Sequence, residues 1–402
     1  MSNPFSMRLR VAGFSLFILR RALAHRCVQV AASLTFTTLL SLVPLMIVGL
    51  IVLSAFPLFS EYNTKFKALL VTTLVPDFAG KIITVYMRQF SENLGRLTVA
   101  GIAITGATAF MLLRTIDLTF NHIWLVSKAR PLKQQFLVYW AILTLGPLLL
   151  GAGLWTNNWV LHGSGLLQDL QGLSVFISLG NELLLTTLML AMLYGWVPNR
   201  FVPVRHALVG AGIAALLLQL AKGAFAYYIG QAKTYQLVYG AFASFPIMLL
   251  WLQLIWGVVL LGAELTAGLS YWRDGAWRRR NAMHHRFQDA LHVLLCLMQA
   301  QNEGRTLSQR QLRRSVAVGY DEMGAVLDAL ADAELVQRGQ ADQWVLVRAP
   351  DKLYLDELYR LFVLRLDPAA HSSVSRALQP LLSPTFAQLS VSLAEFARLR
   401  GE

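Results

Sequence analysis

The sequence predicts an all-α polytopic membrane protein: six transmembrane helices followed by a small cytoplasmic winged-helix-like domain. Three observations predict it. Of 402 residues, 56% are apolar and 14% charged, against a charged fraction of roughly a quarter in ordinary soluble domains. Apolar runs of about 20 residues, long enough to cross a hydrocarbon core of about 30 Å as helices, recur along the chain. Lys and Arg gather in alternate connections between those runs, as they do on the cytoplasmic side of membrane proteins.

Residues 1–30 come first. "VAGFSLFIL" is short and "ALA" at 22–24 resembles a cleavage site, but Arg20 and Arg21 stand between them, where a signal peptide does not carry arginines. The segment therefore reads as a cytoplasmic amphipathic helix lying in the interface, with its arginines at the anionic inner leaflet.

The transmembrane domain, 31–272, follows, with spans at 33–55, 97–120, 137–160, 173–197, 206–230 and 242–268. Arg8, Arg10, Arg20, Arg21 and Arg26 precede the first span. Lys128, Arg130 and Lys133 lie between the second and third, and Arg200 and Arg205 between the fourth and fifth. Arg273, Arg278, Arg279 and Arg280 follow the sixth, whereas the third-to-fourth connection has no Lys or Arg and the fifth-to-sixth only Lys233. Both termini are thus expected in the cytoplasm. Residues 58–96 mix Lys65, Lys67, Lys81, Arg88 and Arg96 with Glu61, Asp77 and Glu92, and read as an amphipathic segment on the outer, periplasmic face. Cys27 and Cys296 both fall on the cytoplasmic side, so no disulfide is expected.

Residues 284–365 change character. A helix near 287–301, a helix-start signal at "TLSQRQL", an amphipathic segment at 322–334 and the alternating "LVQRGQADQWVLVR" follow one another, the layout of a winged helix. A DNA-reading version places basic and amide residues on its second helix; this one carries Asp321, Glu322, Asp328, Asp332 and Glu334. No nucleic acid is expected as a partner. The net charge of +13 does not argue otherwise, because 13 Lys and Arg against 14 Asp and Glu lie from residue 284 onward, which leaves the basic excess in the membrane part. Residues 366–402 read as a loosely ordered tail.

Charge inside hydrocarbon is costly, so ionisable residues within spans mark bundle interiors or wet cavities. Glu182, beside Asn181, and Lys222, three residues after Gln219, fall at similar depth when the fourth and fifth spans run in opposite directions, at a rise of about 1.5 Å per residue. They are expected to neutralise each other, with Asn181 and Gln219 as hydrogen-bonding neighbours. Two readings stand: a buried pair that fixes helix packing, or a polar cavity between helices that handles a substrate headgroup or an ion. Arg114 and Asp117, three apart on one helix face, with Asn121 a turn further, read either as a local ion pair reaching the interface or as the inner end of that cavity. Glu264, near the inner end of the sixth span, reads equally as inward-facing or interfacial. "GPLLLGAG" and "GAGIAA" permit close helix approach, while Pro44, Pro147 and Pro246 can kink or break a span.

Taken together, "AASLTFTTLLSLVPLM" (31–46), "LVPDFAGKIITVYMRQFSENLGRLTVAG" (74–101), "RTIDLTFNHIW" (114–124) and "YGAFASFPIMLLWLQLIWGVVLLGAEL" (239–265) resemble the YihY/BrkB family of bacterial inner-membrane proteins, over residues 10 to 285. The resemblance implies a six-helix inner-membrane protein with a soluble C-terminal extension. It supplies no settled activity, since members have carried a ribonuclease BN label, a virulence label and suggestions of envelope lipid transport.

Phosphodiester cleavage needs clustered Asp, Glu or His holding cations over a strand. The membrane part has eight scattered acids, and His284 and His285 stand beside "WRRRN" without metal-ligand spacing. No Gly-rich phosphate loop, GxSxG or CxxC occurs. No catalytic residue, metal site or cofactor is expected, and ribonuclease activity is disfavoured. Two functions remain: handling or translocating envelope phospholipid or another amphiphile through a polar intramembrane cavity lined by Asn181, Glu182, Gln219 and Lys222, or a scaffold recruiting cytoplasmic partners. The expected partners are anionic phospholipid at the inner leaflet and a cytoplasmic protein or a second copy of the chain.

Overall fold

The computed structural model describes residues 4–54, 99–126, 130–162, 171–231, 244–272, 283–316, 318–339, 343–364 and 373–400. The amphipathic segment expected at 58–96 lies outside them. The chain divides into two units, residues 1–124 with 128–266, and residues 125–127 with 267–402.

The regular elements described in the first unit are all helices. Its elements are α1 (Pro4–Ala24), α2 (Cys27–Ser54), α3 (Val99–Ile123), α4 (Leu132–His162), α5 (Gln171–Trp196), α6 (Val204–Gln231) and α7 (Ser244–Trp272), whose last turn falls to the second unit. Helices thus occupy every segment in which a span was expected. On their described residues, three are long and apolar enough to cross a membrane: Ile177–Trp196, Val204–Gln231 and Phe245–Trp272. On α1, Phe14, Ile18 and Ala22, at four-residue spacing, face inward, while the apolar Val11, Leu16, Leu19 and Leu23 are exposed.

The helices α2 and α4 run unbroken through Pro44 and Pro147, and Pro246 lies in the first turn of α7, where the missing N–H has no intrahelical partner to lose. No break occurs at any of the three. Small residues do act as expected in "GAGIAA". Gly210, Ala211, Ala214 and Ala215 of α6 are buried, and a Cβ on Gly210 would collide with the Thr266 hydroxyl of α7. On the facing side, a Cβ on Gly262 would strike Ala214 and the Tyr194 hydroxyl, which donates to the Val259 carbonyl at 2.8 Å. By contrast, Gly146 of "GPLLLGAG" faces open space. The Trp256 indole N–H donates to Thr38 at 2.9 Å, joining α7 to α2.

The second unit contains α8 (Met283–Asn302), β1 (Leu307–Ser308), α9 (Gln309–Ser315), α10 (Tyr320–Asp332), β2 (Val336–Arg338), β3 (Gln343–Leu346), α11 (Leu355–Phe362), α12 (Ser373–Gln388) and α13 (Leu393–Arg400). The three strands are antiparallel in the order β1-β3-β2. At the start signal of α9, the Ser308 backbone N–H donates to the Gln311 side chain at 2.8 Å, as a helix-start signal requires. One core unites Leu294, Leu312, Met323, Leu327, Leu335 and Leu358.

Two expectations are corrected here. Residues 373–400 are not a loose tail: they form α12 and α13, bridge Tyr354 to Ser392, and bury Leu393 and Ala397 in the same core. Serine, alanine and proline concealed the leucines that make this possible. Asp321, expected on the presented face of α10, is instead buried, which leaves Glu322, Asp328, Asp332 and Glu334 as the partly or fully exposed acids.

Candidate functional site

The Lys222 ammonium lies 3.1 Å from Glu182 Oε1, linking α6 to α5 across the distance of an ion pair. The two helices bring together the residues that depth alone paired. The enclosure is what differs from expectation. Their side chains remain 35% exposed at Glu182 and 46% at Lys222, so the chain does not bury the pair. Asn181 and Gln219 flank it, half-buried.

The exposure is local to one stretch of α6. Ala211, Ala215, Leu218, Lys222 and Phe225 fall on one stripe of α6, at spacings of three and four residues. Ala211 and Ala215 are buried against the neighbouring helices, and Phe225 is buried against Ile247 and Trp251 of α7. Lys222, between them, is exposed. On α7, residues 252–257 are half-exposed between buried Trp251 and buried Val258, with Leu254 and Ile255 packed against the Phe225 cluster and Trp256 bonded to Thr38. At the positions of Gly223 and Gly257 a Cβ would meet nothing within 4 Å. Buried residues thus stand on both sides of Lys222 along its stripe, and Lys222 itself lies in an opening to the surface.

Arg114, Asp117 and Asn121 do not join this pair. Asp117 turns inward and is buried, accepting from the Tyr139 hydroxyl at 3.1 Å and the Gln135 amide at 3.3 Å, both on α4. Arg114 is exposed, so the local Arg114–Asp117 ion pair is replaced by hydrogen bonds between helices. Asn121 accepts the Asn199 backbone N–H at 2.8 Å, fixing the connection that leads from α5 into α6.

A second charged grouping surrounds Glu264, which is not interfacial but fully buried. One carboxylate oxygen accepts from the Arg21 guanidinium at 2.8 Å and the other contacts His25 at 2.5 Å. The Cys27 thiol reaches the same oxygen at 3.7 Å. Arg21 also donates to the Ile123 carbonyl at 2.8 Å, at the end of α3, and the His25 and His122 rings meet edge-on at 5.3 Å. Sequence reasoning placed Arg21 at a lipid surface and missed this cluster. Its partners lie about 240 residues apart in the chain, and no periodicity connects them. Arg26, in the left-handed region at φ 53°, lies in the turn between α1 and α2. Among the described residues, no group of three His, Cys, Asp or Glu is arranged to hold a metal ion.

The model for the family described as "Virulence factor BrkB" matches residues 18–286. A UPF0761 membrane protein of Chromobacterium violaceum is 53% identical over 97% of this chain and 94% of its own length. One from Laribacter hongkongensis is 51% identical, over 96% of this chain and 92% of its own. Another, from Neisseria meningitidis serogroup B, is 42% identical over 96% and 95%. No solved structure matches.

Proposed function

The chain belongs to the virulence factor BrkB family and is similar to membrane proteins over nearly its whole length; from that premise we propose that it handles or translocates an amphiphile, with envelope phospholipid as the substrate class. The observation that carries this reading is the half-exposed Glu182–Lys222 pair on helices apolar enough to cross a membrane. A charged pair serving only to fix packing is best enclosed, because exposure to acyl chains costs free energy without adding contacts. A pair left open offers charge to something that enters from the side.

In this reading the helices α2 to α7 are six crossings, both termini are cytoplasmic, and the membrane is the bacterial inner membrane. The interfacial helix α1 lies on the cytoplasmic leaflet, where anionic phospholipid meets the exposed Arg10 and Arg20. Neither catalysis nor a cofactor is part of the function. The second unit is a winged-helix-like module, supported by its order of helix, strand, two helices and hairpin, and it serves as a docking element for a cytoplasmic partner. A scaffold role for the whole protein is the second reading, favoured by the acids Glu322, Asp328, Asp332 and Glu334 on and just after α10.

The test is movement of headgroup-labelled phospholipid in liposomes containing the full chain, compared with Glu182→Gln, Lys222→Met and empty liposomes. Wild type is expected to exceed empty liposomes at least tenfold and each variant to fall back toward them. Equal rates in all four overturn translocation and favour the scaffold.

A further inference from the structure

We propose that the opening at Lys222 binds the headgroup of a zwitterionic phospholipid carrying a primary ammonium, phosphoethanolamine, with the phosphate at Lys222 and the ammonium at Glu182. This rests on the amphiphile reading and names its substrate class.

Valence comes first. An ammonium has three N–H donors and a carboxylate two acceptor oxygens. The recorded contact uses one donor of Lys222 and Oε1 of Glu182. Among the described residues neither group has another hydrogen-bonding partner, so Lys222 keeps two donors and Glu182 keeps Oε2, on side chains that stand open. A ligand can engage both without breaking the existing bond.

The charges then select the ligand. A phosphate accepted by Lys222 alone lies beside the Glu182 carboxylate, and like charges at that separation repel. A ligand ammonium at Oε2 removes the conflict: carboxylate, lysine, phosphate and ammonium alternate in sign around a closed square. Phosphoglycerol supplies the phosphate but no cation. Phosphocholine supplies a cation without N–H donors, which forfeits the charge-assisted hydrogen bond to the carboxylate. The acyl chains have a surface to follow, since Leu179, Leu184, Leu216, Leu220, Tyr227 and Tyr228 on the same two helices are all exposed.

The test uses the full chain in nanodiscs of phosphatidylcholine, titrated with phosphatidylethanolamine, phosphatidylcholine or phosphatidylglycerol of identical acyl chains, with bound lipid counted by native mass spectrometry. Wild type is expected to prefer phosphatidylethanolamine by about tenfold over both others, the scale of one charge-assisted hydrogen bond. Glu182→Gln is expected to lose the preference over phosphatidylcholine, and Lys222→Met to lose all headgroup preference. The exchanged double variant, Glu182→Lys with Lys222→Glu, is expected to recover it, which also excludes misfolding as the cause of loss.

No preference in wild type, or a preference untouched by Glu182→Gln, overturns the proposal. So does efficient cross-linking of a Gly223→Cys variant into dimers without lipid preference, which assigns the opening to a second copy. The two readings separate cleanly. Translocation that depends on Glu182 and Lys222 but ignores headgroup keeps the amphiphile function and removes this assignment. Selective binding without movement keeps the assignment and removes translocation.

Discussion

Two charged groupings among the described residues of the first unit are built in opposite ways. Glu264 is fully enclosed and shared between Arg21 and His25, with a third contact from Cys27. Glu182 has one partner, Lys222, and both are substantially exposed. A carboxylate with every oxygen occupied by the protein has nothing left to offer a ligand. It holds α1, α2 and α7 together at one place. A pair with spare valence and open sides contributes little to holding the fold and remains available. The difference teaches that an ionisable residue in a span is assigned by what surrounds it, more than by its depth.

The comparison breaks most readily at Glu264. Replacing it with Ala leaves Arg21 partly buried without its counter-charge, and removal of one partner from a buried pair costs about 3–5 kcal/mol. Unfolding of the purified chain in mild detergent is expected to show that loss, while Arg21→Met with Glu264→Met together costs far less. A single-site loss below about 1 kcal/mol would mean that the cluster is not structural.

The next effect sharpens the packing side of the comparison. Gly262→Ala drives a methyl into Tyr194 and Ala214, and overpacking of this kind costs about 1–3 kcal/mol. The same change at Gly223 or Gly257, where a Cβ meets open space, is expected to be neutral or slightly stabilising by the same measurement, because alanine is the better helix former. Equal losses at all three sites would deny that Lys222 lies in an opening.

The smallest stability effect belongs to the exposed pair. Replacing both partners, Glu182→Gln with Lys222→Met, leaves no unpaired charge among acyl chains and is expected to cost less than about 1 kcal/mol of stability in detergent, while lipid movement falls at least tenfold. A large stability loss from this double variant would turn the pair into a second structural clamp.

Much of this was legible beforehand. Apolar runs and helix-start residues are local, so the positions of α2 to α7 and the Ser308–Gln311 start of α9 could be read along the chain, whereas α12 and α13 could not. Even the Glu182–Lys222 contact followed from counting rise per residue in two antiparallel helices, since that needs only depth. Its exposure was not legible: it depends on how α6 is rotated against its neighbours, and burial of a stripe cannot be inferred from its spacing when Ala211 and Lys222 share it. Asp117 shows the same limit, because its true partners, Tyr139 and Gln135, sit on another helix whose rotation no local pattern reveals.

Composition and periodicity by themselves determined that the chain is helical and bound for a membrane, for hydrocarbon leaves the backbone no other hydrogen-bonding partner than itself. Tertiary structure alone decided which charges are spent and which are left open. Rotation about each helix axis, and the distance between axes, choose the neighbours of Glu264 and Glu182, and those quantities arise only when side chains from remote segments compete for the same volume.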